Sequence, residues 1–167
     1  FALQATMLLQ EAFDIHSNTT VGRSLPLRDP FKSEGHTILD LGAEMLTRGR
    51  PHPMIDYRLR AERIVQEARD SATAVLLLDV VLGFGSHPDP AAELVPALAT
   101  ARTIAEQNGR AIVCIGHICG TDGDPQSLPS QARALADAGM ILAESSAQAV
   151  RLAGKILESI NARGGRA

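Results

Sequence analysis

Apolar positions along the chain alternate between helical spacing and short unbroken runs. Leu3, Met7, Leu8 and Ala12 recur at helical spacing, so the chain opens within an amphipathic helix. From His16 to Glu34 the pattern gives way to Ser, Asn, Gly, Pro and mixed charge, which predicts a long irregular connection. His36 to Leu41 reads as a short buried strand closed by Gly42. Gly49 to Asp56 carries two prolines that block helix, and Ala61, Ile64, Val65 and Ala68 then form a helical stripe. Val75 to Leu82 is apolar and β-branched almost throughout, as a parallel strand covered on both faces must be.

After Gly83-Phe84-Gly85-Ser86-His87-Pro88-Asp89-Pro90, Asp89 is placed to cap a helix and Pro90 to occupy its first position. Leu94, Ala97, Leu98 and Ala101 mark that helix's buried face, with Pro96 inside it. Ala111 to Gly116 predicts a further strand, His117 to Pro125 a loop, and Leu128, Ala132 and Leu135 the inner face of the next helix. Met140 to Ala143 is a short last strand. Ser145 and Gln148 form a capping box for a closing helix through Ala149, Leu152, Ala153, Ile156 and Ile160, which Gly164-Gly165 ends.

Strands separated by helices of this length call for right-handed crossovers and a doubly wound parallel sheet with helices on both faces. Because no G-x-G-x-x-G leads from a first strand into a helix, the α/β expectation is flavodoxin-like rather than dinucleotide-binding. One domain over residues 1–163 with a tail at 164–167 is expected.

The 167 residues are 45% hydrophobic, which supplies a real core and excludes disorder. A net charge of -3 gives no field for nucleic acid or anionic lipid. Aromatics at 3%, without Trp, leave an aliphatic core and remove the stacking platforms of single-strand binders. The longest apolar run, Ala74 to Leu82, is far short of the roughly 20 residues of a membrane helix. Cys114 and Cys119 fit neither a disulfide framework nor a zinc pattern, so a reducing, cytoplasmic setting is expected, with no metal site. The opening Phe1, without a signal pattern, suggests a cut or processed start.

In an open parallel sheet, ligands bind beyond the carboxyl ends of the strands. That rule selects three loops, Gly42 to Asp56, Gly83 to Asp89 and Gly116 to Asp124, which hold His52, His87, His117, Arg48, Arg50, Asp56, Asp89, Cys119, Thr121 and Asp122. Gly83 and Gly85 allow close backbone approach, and the helix behind them points unpaired N–H groups at the same place, a setting for carboxylate, phosphate or carbamoyl oxygen. The plainer role for both glycines is the turn itself. His87 is a competent base near neutral pH, although a loop histidine more often packs locally. Arg50, between Gly49 and Pro51, is a ligand candidate, whereas Arg58, Arg60 and Arg63 are expected on a solvated helix face. Asp40 and Asp79, inside apolar strands, are expected to cap neighbouring backbone N–H groups. Cys119 has no assured base beside it.

The stretches GHTILDLGAEMLTRGRPHPMID and LLLDVVLGFGSHPDPAAELVPAL, the CGTDGDPQ loop and the AESSAQAVRLA close resemble the C-terminal CoA-ligase domain of FdrA-type proteins, relatives of the NDP-forming acyl-CoA synthetases. The likeness runs from about Phe1 to Ala153. More distantly, the spacing is similar to the flavodoxin-like domain of the succinyl-CoA synthetase beta subunit, where the loop matched by Gly83 and Gly85 borders the organic-acid site. The resemblance implies a ligase-type catalytic domain, with CoA and ATP handled through other domains and none bound by this one alone. It also implies synthetase-like partner domains or subunits and a homo-oligomer. The synthetases' phosphohistidine motif is absent, so His87 and His117 do not inherit that role. Family members place a strand just before the opening helix, central in a 2-1-3-4-5 sheet. Without it, a gap is expected in the core unless preceding residues or another segment fill the slot.

On this reading a small carboxylate, or its acyl or carbamoyl derivative, binds at the edge formed by the three loops. Gly83, Gly85 and Ser86 would contact the anion, Arg50 and His52 would close over it, and His87 would orient it or move a proton. Thr121 and Asp122 would line the opposite wall. Two alternatives stand beside it: a carbamoyltransferase subunit acting on a compound such as oxamate in purine or allantoin breakdown, and a non-catalytic module for subunit assembly.

Overall fold

The computed structural model describes the chain through residue 164, with side-chain surroundings through residue 162. In chain order it contains α1 (Ala2–Leu9), β1 (Ile15–Ser17), β2 (Leu25–Pro26), β3 (His36–Ile38), α2 (Glu44–Thr47), α3 (Arg58–Arg69), β4 (Val75–Val81), α4 (Pro90–Gln107), β5 (Val113–Cys119), α5 (Leu128–Asp137), β6 (Ile141–Leu142) and α6 (Ser146–Gly164). The strands form two three-stranded parallel sheets, ordered β2-β1-β3 and β4-β5-β6. The fold is α/β with helices on both faces, as expected of a flavodoxin-like domain. Residues 165–167 of the expected tail lie outside the described residues.

Alternation along β4 divides the helices between the two faces. Leu76 and Val80 pack with α3, α4 and α5 in a cluster around Tyr57, Ile64, Leu94, Leu98 and Leu135. Val75 and Leu77 point the other way, against Ala149 and Ala153 of α6. Leu77 also meets Ala5, Leu9 and Val150 where α1 joins α6. A strand covered on both faces must be apolar at every position, which explains the unbroken run in β4. The residues of α4 alternate in the same sense: Leu94, Leu98 and Ala101 are at most 2% exposed. The start of α4 follows the sequence reading, since the Asp89 carboxylate accepts the Ala92 N–H at 3.1 Å and Pro90 stands at the first position.

Several element boundaries differ from expectation. The stretch from His16 to Glu34 contributes two short strands, with Pro26 on the edge strand, where a missing N–H is tolerated. β3 ends at Ile38 because the Asn18 side chain takes over the backbone of Asp40, accepting its N–H and donating to its carbonyl, both at 2.8 Å. β5 runs on through His117 to Cys119, pairing His117 with Asp79, so the third loop begins later than the apolar run suggests. Arg60 and Arg63 are not on a solvated face: their side chains are 12% and 11% exposed, and Arg58 alone of the three projects outward. The stripe of apolar residues does not reveal this, because the partner that draws Arg60 inward, Asp79 at 2.8 Å, lies on a distant strand.

The sheet is interrupted between β3 and β4. These strands flank a cavity of about 500 Å³, with Thr37 and Leu39 on one wall and Val75, Leu77 and Asp79 on the other. Arg60 and Ile64 of α3 border it on one face, and Ala5 and Leu9 of α1 with Ala153 of α6 on the opposite face. The expected continuous sheet is therefore divided into two.

Candidate functional site

The carboxyl ends of β4 and β5 lead into two loops that are bound to each other by one side chain. Gln126, 7% exposed, accepts the Gly83 N–H at 3.0 Å through Oε1. Its Nε2 lies within reach of the Gly83 carbonyl at 2.9 Å, the Ser86 hydroxyl at 3.0 Å and the His87 carbonyl at 3.1 Å. A side-chain amide suits this position because it donates and accepts at once, as two adjacent backbone groups do. Gly83 and Gly85 adopt φ of +121° and +84°, which only glycine takes without strain, and the chain thereby doubles back over Gln126. The Ser86 hydroxyl donates to the Gly83 carbonyl at 2.7 Å. Phe84, between the two glycines, is held out at 91% exposure.

The remaining loop joins from the other side, where the His87 N–H donates to the Met54 carbonyl at 2.8 Å. Gly83, Gly85, Ser86 and His87 thus occur in one rigid turn, next to the segment that contains His52. All three loops meet at one edge.

His87 is largely enclosed. Its Nδ1 accepts the Asp89 N–H at 3.1 Å, so in the neutral ring the proton sits on Nε2, 3.9 Å from the Glu93 carboxylate. The ring stands edge-on to buried Tyr57 at a centroid distance of 5.6 Å. Burial raises the Tyr57 hydroxyl above its ordinary pKa, which keeps it a neutral donor. The Arg60 guanidinium lies 5.4 Å from the Tyr57 ring and links it to Asp79. Tyr57, Arg60, Asp79 and Gln126 form the support of the site, and single-residue reading missed all but Asp79. Their signal is spatial, since each acts on a residue far away in the chain.

Charges around His87 are fixed by neighbours. Hydrogen bonds from Arg58 hold the Asp56 carboxyl down at about 2. The Gln131 amide at 2.9 Å, and then the Ala92 N–H, keep Asp89 below the usual carboxylate range. Both acids remain ionised near neutral pH. Burial pushes the Cys114 thiol up, so it is no nucleophile.

The other candidates lie further out. His52 is exposed; its Nδ1 accepts the Met54 N–H at 3.2 Å, and its ring lies so close over Gly42 that a Cβ there would stand 2.6 Å from Nε2. The Asp40 carboxylate accepts the Gly42 N–H at 2.9 Å, the capping role expected of it. Asp79 instead pairs with Arg60. Arg50 is exposed and, among the described residues, forms no ion pair. Thr121 and Asp122 sit exposed in a turn where the Thr121 N–H donates to the Asp124 carboxylate at 2.6 Å. His117 lies with its Nδ1 3.2 Å from the Ala143 carbonyl, just beyond the end of β6. Among the described residues no group of three or more His, Cys, Asp or Glu is disposed to hold a metal, and no helix is long and apolar enough to cross a membrane.

Comparison with known proteins places this architecture. The chain is 42% identical over 139 residues to the uncharacterized protein YahF of Escherichia coli (strain K12), a match covering 83% of this chain and 27% of that protein. The chain thus spans about a quarter of the length of that curated relative. The family model for CoA-ligase matches residues 1–156. With nearly the whole α/β unit inside that match, the chain belongs to the CoA-ligase family.

Proposed function

We propose that this chain is the CoA-ligase domain of an FdrA-like acyl-CoA synthetase-type protein, and that it binds a small carboxylate, or its acyl or carbamoyl derivative, at the carboxyl edge where the three loops meet. The observation that supports the reading is the tied turn Gly83–His87, held by Gln126 at the mouth of β4 and in front of the N-terminus of α4. Gly85 and Phe84 leave their backbone N–H groups outside the Gln126 bonds. His87 presents an Nε2–H beside them, with Arg50 and His52 on the adjoining loop and Thr121 and Asp122 on the far one.

In this arrangement His87 is first an orienting donor, because its Nδ1 lone pair is already used by Asp89. Gly83 and Ser86 act by shaping the turn, since the Gly83 N–H and the Ser86 hydroxyl bond inward. The anion is met by the outward N–H groups of the turn. ATP and CoA would be handled by other domains of a longer protein, and carbamoyl transfer to an acceptor such as oxamate would use the same carboxylate contacts.

Thermal shift with oxamate, succinate and carbamoyl phosphate, beside CoA and ATP, tests the reading: a carboxylate bound to the folded state raises the midpoint. His87→Ala should abolish the shift and, in an assembled enzyme, lower turnover about a hundredfold. No shift with any carboxylate, together with unchanged turnover in His87→Ala, contradicts it. Exposed Phe84 favours a second reading, an assembly module whose tip contacts a partner subunit. There Phe84→Ser would break the complex, whereas His87→Ala would leave both complex and activity intact.

A further inference from the structure

Among the described residues, Ser127 is the one residue other than glycine with a positive φ, at φ 59° and ψ 88°. A side chain in this left-handed region crowds its own backbone, and only the surrounding structure can hold it there. The packing of Ser127 itself does not do so, because its side chain is exposed. Capping does not do so either. Ser127 stands at the N-cap of α5, where a serine in the usual extended conformation bonds an N–H of the first turn. Its hydroxyl makes no such bond and meets the Ser130 hydroxyl at 3.0 Å instead. The residue gives up both a relaxed backbone and the cap to which its type is suited.

The neighbours of Ser127 account for the conformation. On one side, Pro125 and Gln126 lie in a turn closed by the Ser127 N–H on the Asp124 carbonyl at 3.2 Å, and the Gln126 amide reaches Gly83, Ser86 and His87. On the other, α5 is fixed by fully buried Leu135 and by Gln131, whose Oε1 accepts the Ala91 N–H at 2.8 Å and whose Nε2 donates to the Asp89 carboxylate at 2.9 Å. Two buried side-chain amides thus grip neighbouring segments on either side of one exposed residue. Gln126 holds the turn after β4, and Gln131 holds the first turn of α4. With both ends fixed, the angle between them is taken up at Ser127. Rotation there to an extended conformation would leave α5 in place and swing Gln126 off the turn.

We propose that Ser127 is a positioning residue of the carboxylate site, a strained hinge whose left-handed backbone is kept by the grip of Gln126 on the turn at residues 83–87. Hinge and turn then share two positions. In the latched one Ser127 is left-handed and Gln126 holds the turn. In the released one Ser127 is extended, its hydroxyl caps α5, and the Gly83 N–H and the His87 carbonyl lose the Gln126 amide. The strain at the hinge sets the balance between them, so a ligand that needs the latched turn must also hold the hinge. For the carboxylate this rests on the reading given above, in which the outward N–H groups of the turn meet the anion.

A double-mutant cycle in urea unfolding tests the hinge, with Ser127→Gly made in the wild-type chain and in Gln126→Ala. Glycine adopts positive φ freely, so it relieves strain only where strain exists. The folding constant should respond to Ser127→Gly more favourably by about fivefold or more with Gln126 present than with it absent. Equal responses in the two backgrounds, within about twofold, mean that the start of α5 alone imposes the conformation, and they overturn the proposal. Gln126→Asn, whose amide is too short to reach the turn, replaces Gln126→Ala if that variant does not fold. Oxamate titration reads the same hinge at the site. Ser127→Val, a branched residue that resists positive φ, should weaken binding about tenfold, and Ser127→Gly should bind as the wild type does. Binding unchanged in Ser127→Val overturns the positioning role. Coupling in the cycle with no oxamate bound by any variant, the wild type included, leaves the hinge standing and removes the carboxylate reading instead.

Discussion

Gln126 makes the site rigid from a position that no local motif announces. Its amide holds the turn at four points, and Gln126→Ala should lower stability by about 2 kcal/mol in urea unfolding, because the Gly83 N–H and the His87 carbonyl lose the Gln126 amide in a largely enclosed setting. Asp89 is readable from sequence as a cap, and Asp89→Ala should cost about 1 kcal/mol in the same measurement. Its pH dependence has a definite sign. The folded pKa of Asp89 lies below the unfolded value of about 3.9, so its contribution is fully present above that pH and is lost as pH falls through the folded value. Asp89→Asn should lower stability across the neutral region and flatten the acid limb of the stability curve below about pH 4. His87, Gly83 and Gly85 were legible as candidates because residue type and position after an apolar run suffice. Tyr57 and Arg60 were not, since what gives them a role is the company of His87 and Asp79, which the fold alone supplies.

The strongly periodic segments declared themselves: β4, α4 and α6 follow from apolar spacing, because each buries a face against a partner on the other side of the sheet. Leu98, 2% exposed in α4, should cost about 2–5 kcal/mol as Leu98→Ala, measured by denaturant unfolding with unchanged m. Short elements were hidden for a physical reason. β1 and β2 have three and two residues, too few for a period to emerge, and they exist because neighbouring strands hold them. The end of β5 was misjudged because Gly116 and His117 look like turn residues, although pairing with Leu78 and Asp79 carries the strand past them. The link from α3 to β4 through Arg60 is a tertiary bond of the same kind. Arg60→Ala should destabilise by about 2 kcal/mol, less than for a fully buried pair, because Asp79 retains some solvent.

At the level of the molecule, the alternation of strands and helices was enough to place all three loops on one edge, and hydrogen bonds among Gln126, Gly83, His87 and Met54 bring that edge together. What sequence periodicity could not supply was the division into two sheets, since pairing between strands distant in the chain leaves no local signal. The chain belongs to the CoA-ligase family and matches about a quarter of the length of its curated relative. The central claim is that the tied turn binds a carboxylate, and amide NMR titration of the chain with oxamate and succinate tests it most directly. The account predicts saturable shifts at Phe84, Gly85 and His87, with the Ile115 amide unmoved and the response lost in His87→Ala. Shifts absent from that turn at saturating carboxylate, or unaltered by His87→Ala, would contradict it.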